Sequence, residues 1–346
     1  MELTIRQLHP LFVGEVSGVD AGKPLDAATV EALNAAIDRY AVLILRGQQL
    51  DDERQMAFAR NFGELEMPRS GVADVKRRLP AAVADISNLD ANSKLRGRDD
   101  PRRFDQLGNR LWHTDGSFRR VPAALSMLYA HRVPGSSPKG NGETEFADMR
   151  AAYDALSDQQ KEDIADLVAL HDIAWSRGQL GFSELLFGEK QVLPPVPQRV
   201  VRTHPGSKRK VLYVAAHASE IIGWPVPEGR LLLRELIEHA TQREFVYRHH
   251  WRQGDLVIWD NRATMHRGRG FDETRVRRSA PRHDPRCRFD TRSGRINFRG
   301  GSNDGEDSES LARAHQHRVS GQCLPLGFNL ARRVCTDHAA RRNDGL

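Results

Sequence analysis

The stretch Leu256-Val257-Ile258-Trp259-Asp260-Asn261-Arg262-Ala263-Thr264-Met265-His266 reads as a strand, a tight Asp-Asn turn and a second short strand that ends on a histidine. A short apolar run bounded by turn residues is the pattern of a strand buried on both faces. Before it, residues 243–251 are also strand-like, with Gln253-Gly254 as the break. Further back, residues 228–241 pattern as an amphipathic helix, and residues 200–216 as a hairpin with Gly206 near its turn.

Toward the N-terminus the same mixture continues. Asp26 can cap a helix that places Val30, Leu33 and Ile37 on one face. Residues 41–45 suit a buried strand. A helix over about 52–62 stops at Gly63. Residues 111–118 read as a strand and turn, and residues 123–132 as another apolar stretch. Helices follow around 148–156 and 158–170, the second opened by a capping box of Ser157 and Gln160. Residues 64–110 are polar and weakly patterned, with a charge-dense part from Arg96 to Arg103. They read either as a lid over a site or as solvated surface. There is no regular βαβ alternation, no GxGxxG and no GxxxxGK[ST], which excludes a doubly wound nucleotide fold. The order predicts a mainly β protein: an antiparallel double sheet with inserted helices.

Composition narrows the function classes. The 346 residues are 39% hydrophobic and 28% charged, a soluble globular profile with length enough for one large domain or two small ones. No apolar run approaches the roughly 18–20 residues of a membrane span. Met1-Glu2-Leu3-Thr4-Ile5-Arg6 lacks the layout of a signal peptide, so a cytoplasmic location is expected. Cys287, Cys323 and Cys335 form no CxxC pair, which argues against a zinc ribbon or redox motif. The net charge of +6 is concentrated in residues 279–346, where 12 Arg face 8 acidic residues, with no basic stripe interleaved with aromatics. Nucleic acid is therefore not an expected partner. A homo-oligomer is left open.

The chemistry is carried first by Leu111-Trp112-His113-Thr114-Asp115. In a strand, residues i and i+2 share a face, so His113 and Asp115 can reach one metal. An imidazole and a carboxylate, completed by a distant histidine, form the facial triad that suits Fe(II) and leaves positions open. His266, at the end of the opening stretch, has the context for that third ligand. His249 and His250 are strand neighbours that point to opposite faces, one to the core and one to the surface. His204 and His217 can line a pocket or serve as structural histidines.

Taken in order, several pieces resemble the taurine/2,4-dichlorophenoxyacetate dioxygenase family. They are His113-Thr114-Asp115, Gly142-Glu143-Thr144-Glu145-Phe146, and Trp259-Asp260-Asn261-Arg262 through His266-Arg267-Gly268. The similarity spans about residues 5–278. Arg60-Asn61-Phe62-Gly63, Asp148-Met149-Arg150-Ala151-Ala152-Tyr153 and Ala216-His217-Ala218-Ser219 look like the 2,4-dichlorophenoxyacetate branch, as does the segment 240–249.

The resemblance implies a double-stranded β-helix (jelly-roll) core, Fe(II), and 2-oxoglutarate and O2 as co-substrates. His113, Asp115 and His266 match the metal ligands. Thr144 and Arg277 match the pair that holds the distal carboxylate of 2-oxoglutarate, a role for which a planar guanidinium is suited. His204 and His217 match pocket residues of the branch. The implied reaction hydroxylates an aryloxyalkanoate such as 2,4-dichlorophenoxyacetate, giving a phenol and glyoxylate with succinate and CO2. The alternatives are an alkylsulfonate (taurine-like) dioxygenase and a catalytically impaired metal-binding homologue.

After Arg278 the pattern departs. Fifteen residues beyond the distal histidine the family carries a second arginine for the substrate's anionic group. Here Pro281 stands there, with Arg282 one residue off. Proline is poorly tolerated in a central strand. Residues 1–278 are thus expected to form the dioxygenase domain. Residues 279–346 are expected to form an atypical, mostly disordered tail, arising from a reading-frame change, an unrelated appended sequence or a genuine extension, which puts activity in question.

Overall fold

Strand β3 (Val42–Leu45) explains the architecture. Its alternate residues enter two different cores: Leu43 and Leu45 join one apolar cluster, Val42 and Ile44 another. A strand that is apolar on both faces lies between two layers. The computed structural model describes residues 2–66, 86–135, 137–181 and 193–284, and these show both layers.

Fifteen strands and seven helices are described. The strands are β1 (Thr4–Gln7), β2 (Gly14–Ser17), β3, β4 (Ile86–Ser87), β5 (Leu125–Arg132), β6 (Thr144–Asp148), β7 (Val168–His171), β8 (Val196–Arg199), β9 (Val201–Thr203), β10 (Lys210–Leu212), β11 (Ala218–Ile221), β12 (Val246–His249), β13 (Leu256–Asp260), β14 (Thr264–Gly268) and β15 (Arg278–Asp284). The helices are α1 (Ala27–Tyr40), α2 (Asp52–Arg60), α3 (Pro101–Leu107), α4 (Met149–Asp154), α5 (Asp158–Ile164), α6 (Ile173–Gly178) and α7 (Val226–Ala240).

The large sheet runs β1-β2-β3-β13-β5-β15-β4, and a three-stranded sheet runs β12-β6-β14. One face of the large sheet packs Leu43, Leu45, Met127 and Ile258 against Leu33 and Ile37 of α1 and Phe58 of α2. Its other face sends Val42, Ile44, Leu128, Val257 and Trp259 toward Phe146 of β6. Burying one such side chain contributes about 1.5–3 kcal/mol, so this double layer is a major source of stability. Two further small sheets, β11-β7-β8 and β10-β9, pack with α4, α5 and α7 around a third cluster.

Local signals set most boundaries. The Asp26 side chain accepts from Thr29 N at the start of α1, and Ser157 with Gln160 forms the expected capping box of α5. The expected hairpin pairs β9 with β10, and α7 covers the expected amphipathic stretch. His249 is fully buried and His250 exposed.

Three expectations need correction. The helix expected to run to residue 170 ends at Ile164, because residues 168–171 pair on both sides, with β8 and β11. Residues 111–118 are no strand: His113 forms a single bridge, and Asp115 already lies in a turn. The third concerns the chain after Arg278, which continues as β15 through Pro281 to Asp284. β4 pairs only with Arg278 and Ser279, so among the described residues β15 has one neighbour, β5, at Pro281. Proline's missing N–H is tolerated where a strand has an open side. The rest of the tail, with its three cysteines, lies outside the described residues. No described helix is long and apolar enough to cross a membrane.

Candidate active site

His113 and His266 face each other in an antiparallel bridge. His113 N donates to His266 O at 3.0 Å, and His266 N donates to His113 O at 2.7 Å. The ring centroids are 4.2 Å apart. Asp115 completes the group: its Oδ1 lies 3.6 Å from His113 Nε2 and its Oδ2 3.6 Å from His266 Nε2. One ligand atom from each of the three lies within 4.8 Å of the others.

The side chains are held in donor geometry. His113 Nδ1 is 2.8 Å from the Leu111 carbonyl. A carbonyl oxygen only accepts, so Nδ1 carries a proton and Nε2 is the nitrogen turned toward Asp115. Asp115 Oδ2 accepts from Ser126 Oγ at 2.8 Å. Asn261 Nδ2 donates to that same Ser126 Oγ at 2.8 Å. Asn261 Oδ1 accepts from Trp259 Nε1 at 3.1 Å and from Asp115 N at 3.2 Å. The turn between β13 and β14 therefore fixes the carboxylate that sits beside the two histidines. Two imidazoles and one carboxylate are a donor set suited to Fe(II).

The triad opens into a cavity of about 200 Å³ that also takes in Thr144, Trp259, Phe271 and Arg277. The Arg277 guanidinium lies over the Phe271 ring, 5.1 Å from its centroid. Among the described residues that guanidinium makes no hydrogen bond or ion pair. The Arg277 backbone N–H is held by Asn88 Oδ1 at 2.9 Å. Burial, and then the charge of Arg110, pull Arg277 down to about 10, with Glu143 opposing. Such a cation is costly to bury without an anion beside it. Gly142, beside Arg277, has a φ of +71°, a backbone conformation that favours glycine. Thr144 Oγ1 accepts from Trp251 Nε1 at 3.0 Å, which leaves its own proton for an acceptor in the cavity.

The family model for taurine catabolism dioxygenase TauD, TfdA family, matches residues 4–283. The chain belongs to this family. An alpha-ketoglutarate-dependent 2,4-dichlorophenoxyacetate dioxygenase from Burkholderia sp. (strain RASC) is 46% identical over 298 residues, covering 84% of this chain and 98% of that protein. An (S)-phenoxypropionate/alpha-ketoglutarate-dioxygenase from Sphingobium herbicidovorans is 36% identical over 281 residues, covering 79% and 91%. The crystal structure of AAD-2 in complex with Mn(II) and N-oxalylglycine superposes with a TM-score of 0.74 at 49% identity, covering 82% of this chain and 97% of that one.

The two histidines expected in the pocket of this TauD/TfdA-family chain are not among the residues that line this cavity. His204 Nδ1 accepts from Ser207 N at 2.9 Å, so its Nε2 is protonated and donates to Asp260 Oδ2 at 3.0 Å. Both nitrogens are thus engaged, and His204 does not line the cavity. Burial works to raise Asp260, but the Arg262 charge and the hydrogen bonds from Arg262 and His204 hold it well below the carboxylate range. Asp38, His204 and Asp260 form a second group close enough for a metal, yet the Arg262 guanidinium already supplies the cation. His217 is also absent from the cavity wall. Its Nδ1 is 2.9 Å from Ser176 Oγ, and its ring lies 5.0 Å from Phe118 and 6.3 Å from His113. Burial first, then the neighbouring His113, keeps it neutral.

Sequence reasoning missed Ser126, Asn261, Arg103, Arg110 and Glu273. Asn261 was visible inside the Trp-Asp-Asn-Arg motif. Ser126 had no signal, being one small polar residue in an apolar strand. The weakly patterned segment 64–110 does contribute to the cavity wall, through Asn88, Arg96, Arg103 and Arg110. Residues 67–85 lie outside the described residues.

Proposed function

We propose that this chain is an Fe(II)- and 2-oxoglutarate-dependent dioxygenase that hydroxylates an aryloxyalkanoate such as 2,4-dichlorophenoxyacetate, with a jelly-roll core. The observation that carries the reading is Arg277. A guanidinium that makes no hydrogen bond or ion pair among the described residues opens into the same cavity as a two-histidine, one-carboxylate group. That pairing suits a small dicarboxylate that reaches from a metal to a cation.

His113 Nε2, His266 Nε2 and an Asp115 oxygen would hold the iron. With 2-oxoglutarate (alpha-ketoglutarate) and oxygen, the bound metal supplies the oxidising power for C–H hydroxylation, releasing succinate and CO2. The chain's own residues bind, orient and shield. Arg277 receives the distal carboxylate bidentately, and the Thr144 hydroxyl donates one hydrogen bond to it. Ser126 and Asn261 fix the Asp115 carboxylate in the orientation in which it would hold the metal. Trp259 and Phe146, with ring centroids 4.9 and 6.0 Å from that of His266, keep that side dry. Hydroxylation of an ether CH2 gives a hemiacetal, which collapses to a phenol and glyoxylate. The names of the relatives support the substrate class.

The reading is tested by adding Fe(II) and 2-oxoglutarate anaerobically and recording the visible charge-transfer band. Succinate and phenol are then measured in air with phenoxyacetate, and succinate with taurine. A band followed by phenol from phenoxyacetate supports the proposal. Succinate with taurine alone moves the substrate to alkylsulfonates. No succinate with either acid sinks the enzyme reading.

A further inference from the structure

The substrate's carboxylate needs a cation, and the position where the family resemblance places one holds Pro281. The cavity itself contains five arginines: Arg96, Arg103, Arg110, Arg269 and Arg277. Their counter-charges are uneven. Arg96 pairs with Asp100 at 3.4 Å, and Arg269 lies 3.8 Å from Glu145. Arg277 is assigned above to the dicarboxylate. Arg103 and Arg110 share one carboxylate, Glu273, whose Oε2 accepts from Arg103 and whose Oε1 accepts from Arg110 at 2.9 Å. Among the described residues, two guanidiniums share this one carboxylate, which leaves one positive charge in excess at the cavity wall.

The excess falls on Arg110. Arg103 is further tied down by the Arg98 carbonyl at 3.0 Å. Arg110 makes a single hydrogen bond among the described residues, to Glu273, so four of its five N–H groups remain for a ligand. It stands three residues before His113, in the short 3₁₀ turn Gly108–Arg110 that leads into the triad. It is half-exposed, so an incoming anion can reach it, and its charge is felt at Arg277.

We infer that Arg110, oriented by Glu273, is the residue that receives the carboxylate of the substrate and so selects aryloxyalkanoates over neutral aryl ethers. The inference rests on the functional reading above and adds the residue that sets its specificity. A guanidinium whose carboxylate partner is shared with a second arginine keeps donors for another, bidentate carboxylate.

The test measures binding under anaerobic conditions. The Fe(II)·2-oxoglutarate-loaded protein is titrated with phenoxyacetate and with phenoxyacetamide, its neutral near-isostere, and the change in the visible band gives each Kd. For Arg110→Gln the phenoxyacetate Kd should rise about ten- to hundred-fold, the loss expected for a charge-assisted pair. The phenoxyacetamide Kd should change less than about two-fold, on the same argument that only the charged ligand loses a partner. Arg110→Lys should fall between. The band before ligand addition should still form in Arg110→Gln, because the triad and Arg277 are unchanged. Equal weakening of acid and amide would reveal a packing role and overturn the inference. So would unchanged phenoxyacetate binding in Arg110→Gln. A wild-type band that ignores phenoxyacetate altogether overturns the functional reading first, and the inference with it.

Discussion

His113 and His266 hold each other through their backbones: each donates its N–H to the other's carbonyl, at 3.0 and 2.7 Å. The two imidazoles are therefore set side by side before any metal binds. The side chains can be changed without touching the bonds that position them.

The first consequence concerns metal binding. His266→Ala should bind Fe(II) too weakly to give the 2-oxoglutarate charge-transfer band. The bridge, made of main-chain atoms, should persist, so far-UV circular dichroism should match the wild type. A full-strength band in His266→Ala would remove His266 from the ligand set.

Asn261 is the next point of leverage, because it bonds to Ser126, Trp259 and the Asp115 backbone at once. Asn261→Ala leaves those buried partners unsatisfied and should cost roughly 1–3 kcal/mol in denaturant unfolding. Metal affinity should fall about ten- to hundred-fold, as when other supporting groups around a metal are lost. Isothermal titration with Fe(II) or Mn(II) checks the second effect, and an unchanged affinity would show that Asp115 needs no such support.

Arg277 separates co-substrate binding from metal binding. Arg277→Gln should raise the 2-oxoglutarate Kd by about ten- to hundred-fold through loss of a charge-assisted bidentate pair. Fe(II) affinity in the absence of 2-oxoglutarate should not change. Arg277→Lys should recover only part of the loss, because an ammonium cannot match the fork geometry.

Acid sensitivity should come in part from His171. It is fully buried, stacks on Tyr213, and neither ring nitrogen has a hydrogen-bond partner among the described residues. Burial, and then the Arg202 charge, push it down to about 3. Tyr213 beside it is neutral, and His217, coupled to it, is also held neutral. Below the ordinary histidine range near 6.5 the unfolded chain takes up a proton that the folded chain refuses. Stability therefore falls as pH drops from about 6.5 toward 3, by up to about 1.4 kcal/mol per pH unit for this group. His171→Phe should flatten that slope in urea unfolding at pH 7, 6 and 5. An unchanged slope would mean that His171 takes up its proton while folded.

Much of this site was legible in the chain itself. The His-x-Asp tripeptide, a distal histidine after a strand-turn-strand, and the threonine and arginine at family spacing are local patterns, so their chemistry survives without coordinates. The doubly buried strands were legible too, because β3 and β13 are apolar at every position up to Trp259. What lay outside the sequence's reach depended on register between distant segments. Whether His204 meets Asp260 is decided by where the β9–β10 hairpin packs, and whether Ser126 meets Asp115 by how β5 and β13 align, where a one-residue slip would reverse the face. Pro281 reads as a break in the chain alone, because nothing near it in sequence reveals that it pairs with Leu128 of β5. Among the described residues β4 pairs only as far as Ser279, and Pro281 pairs with β5. The same holds for Arg110 and Glu273. Each is an ordinary charged residue in its own segment, and only the closing of residues 101–110 against residues 271–277 gives two arginines one carboxylate to share.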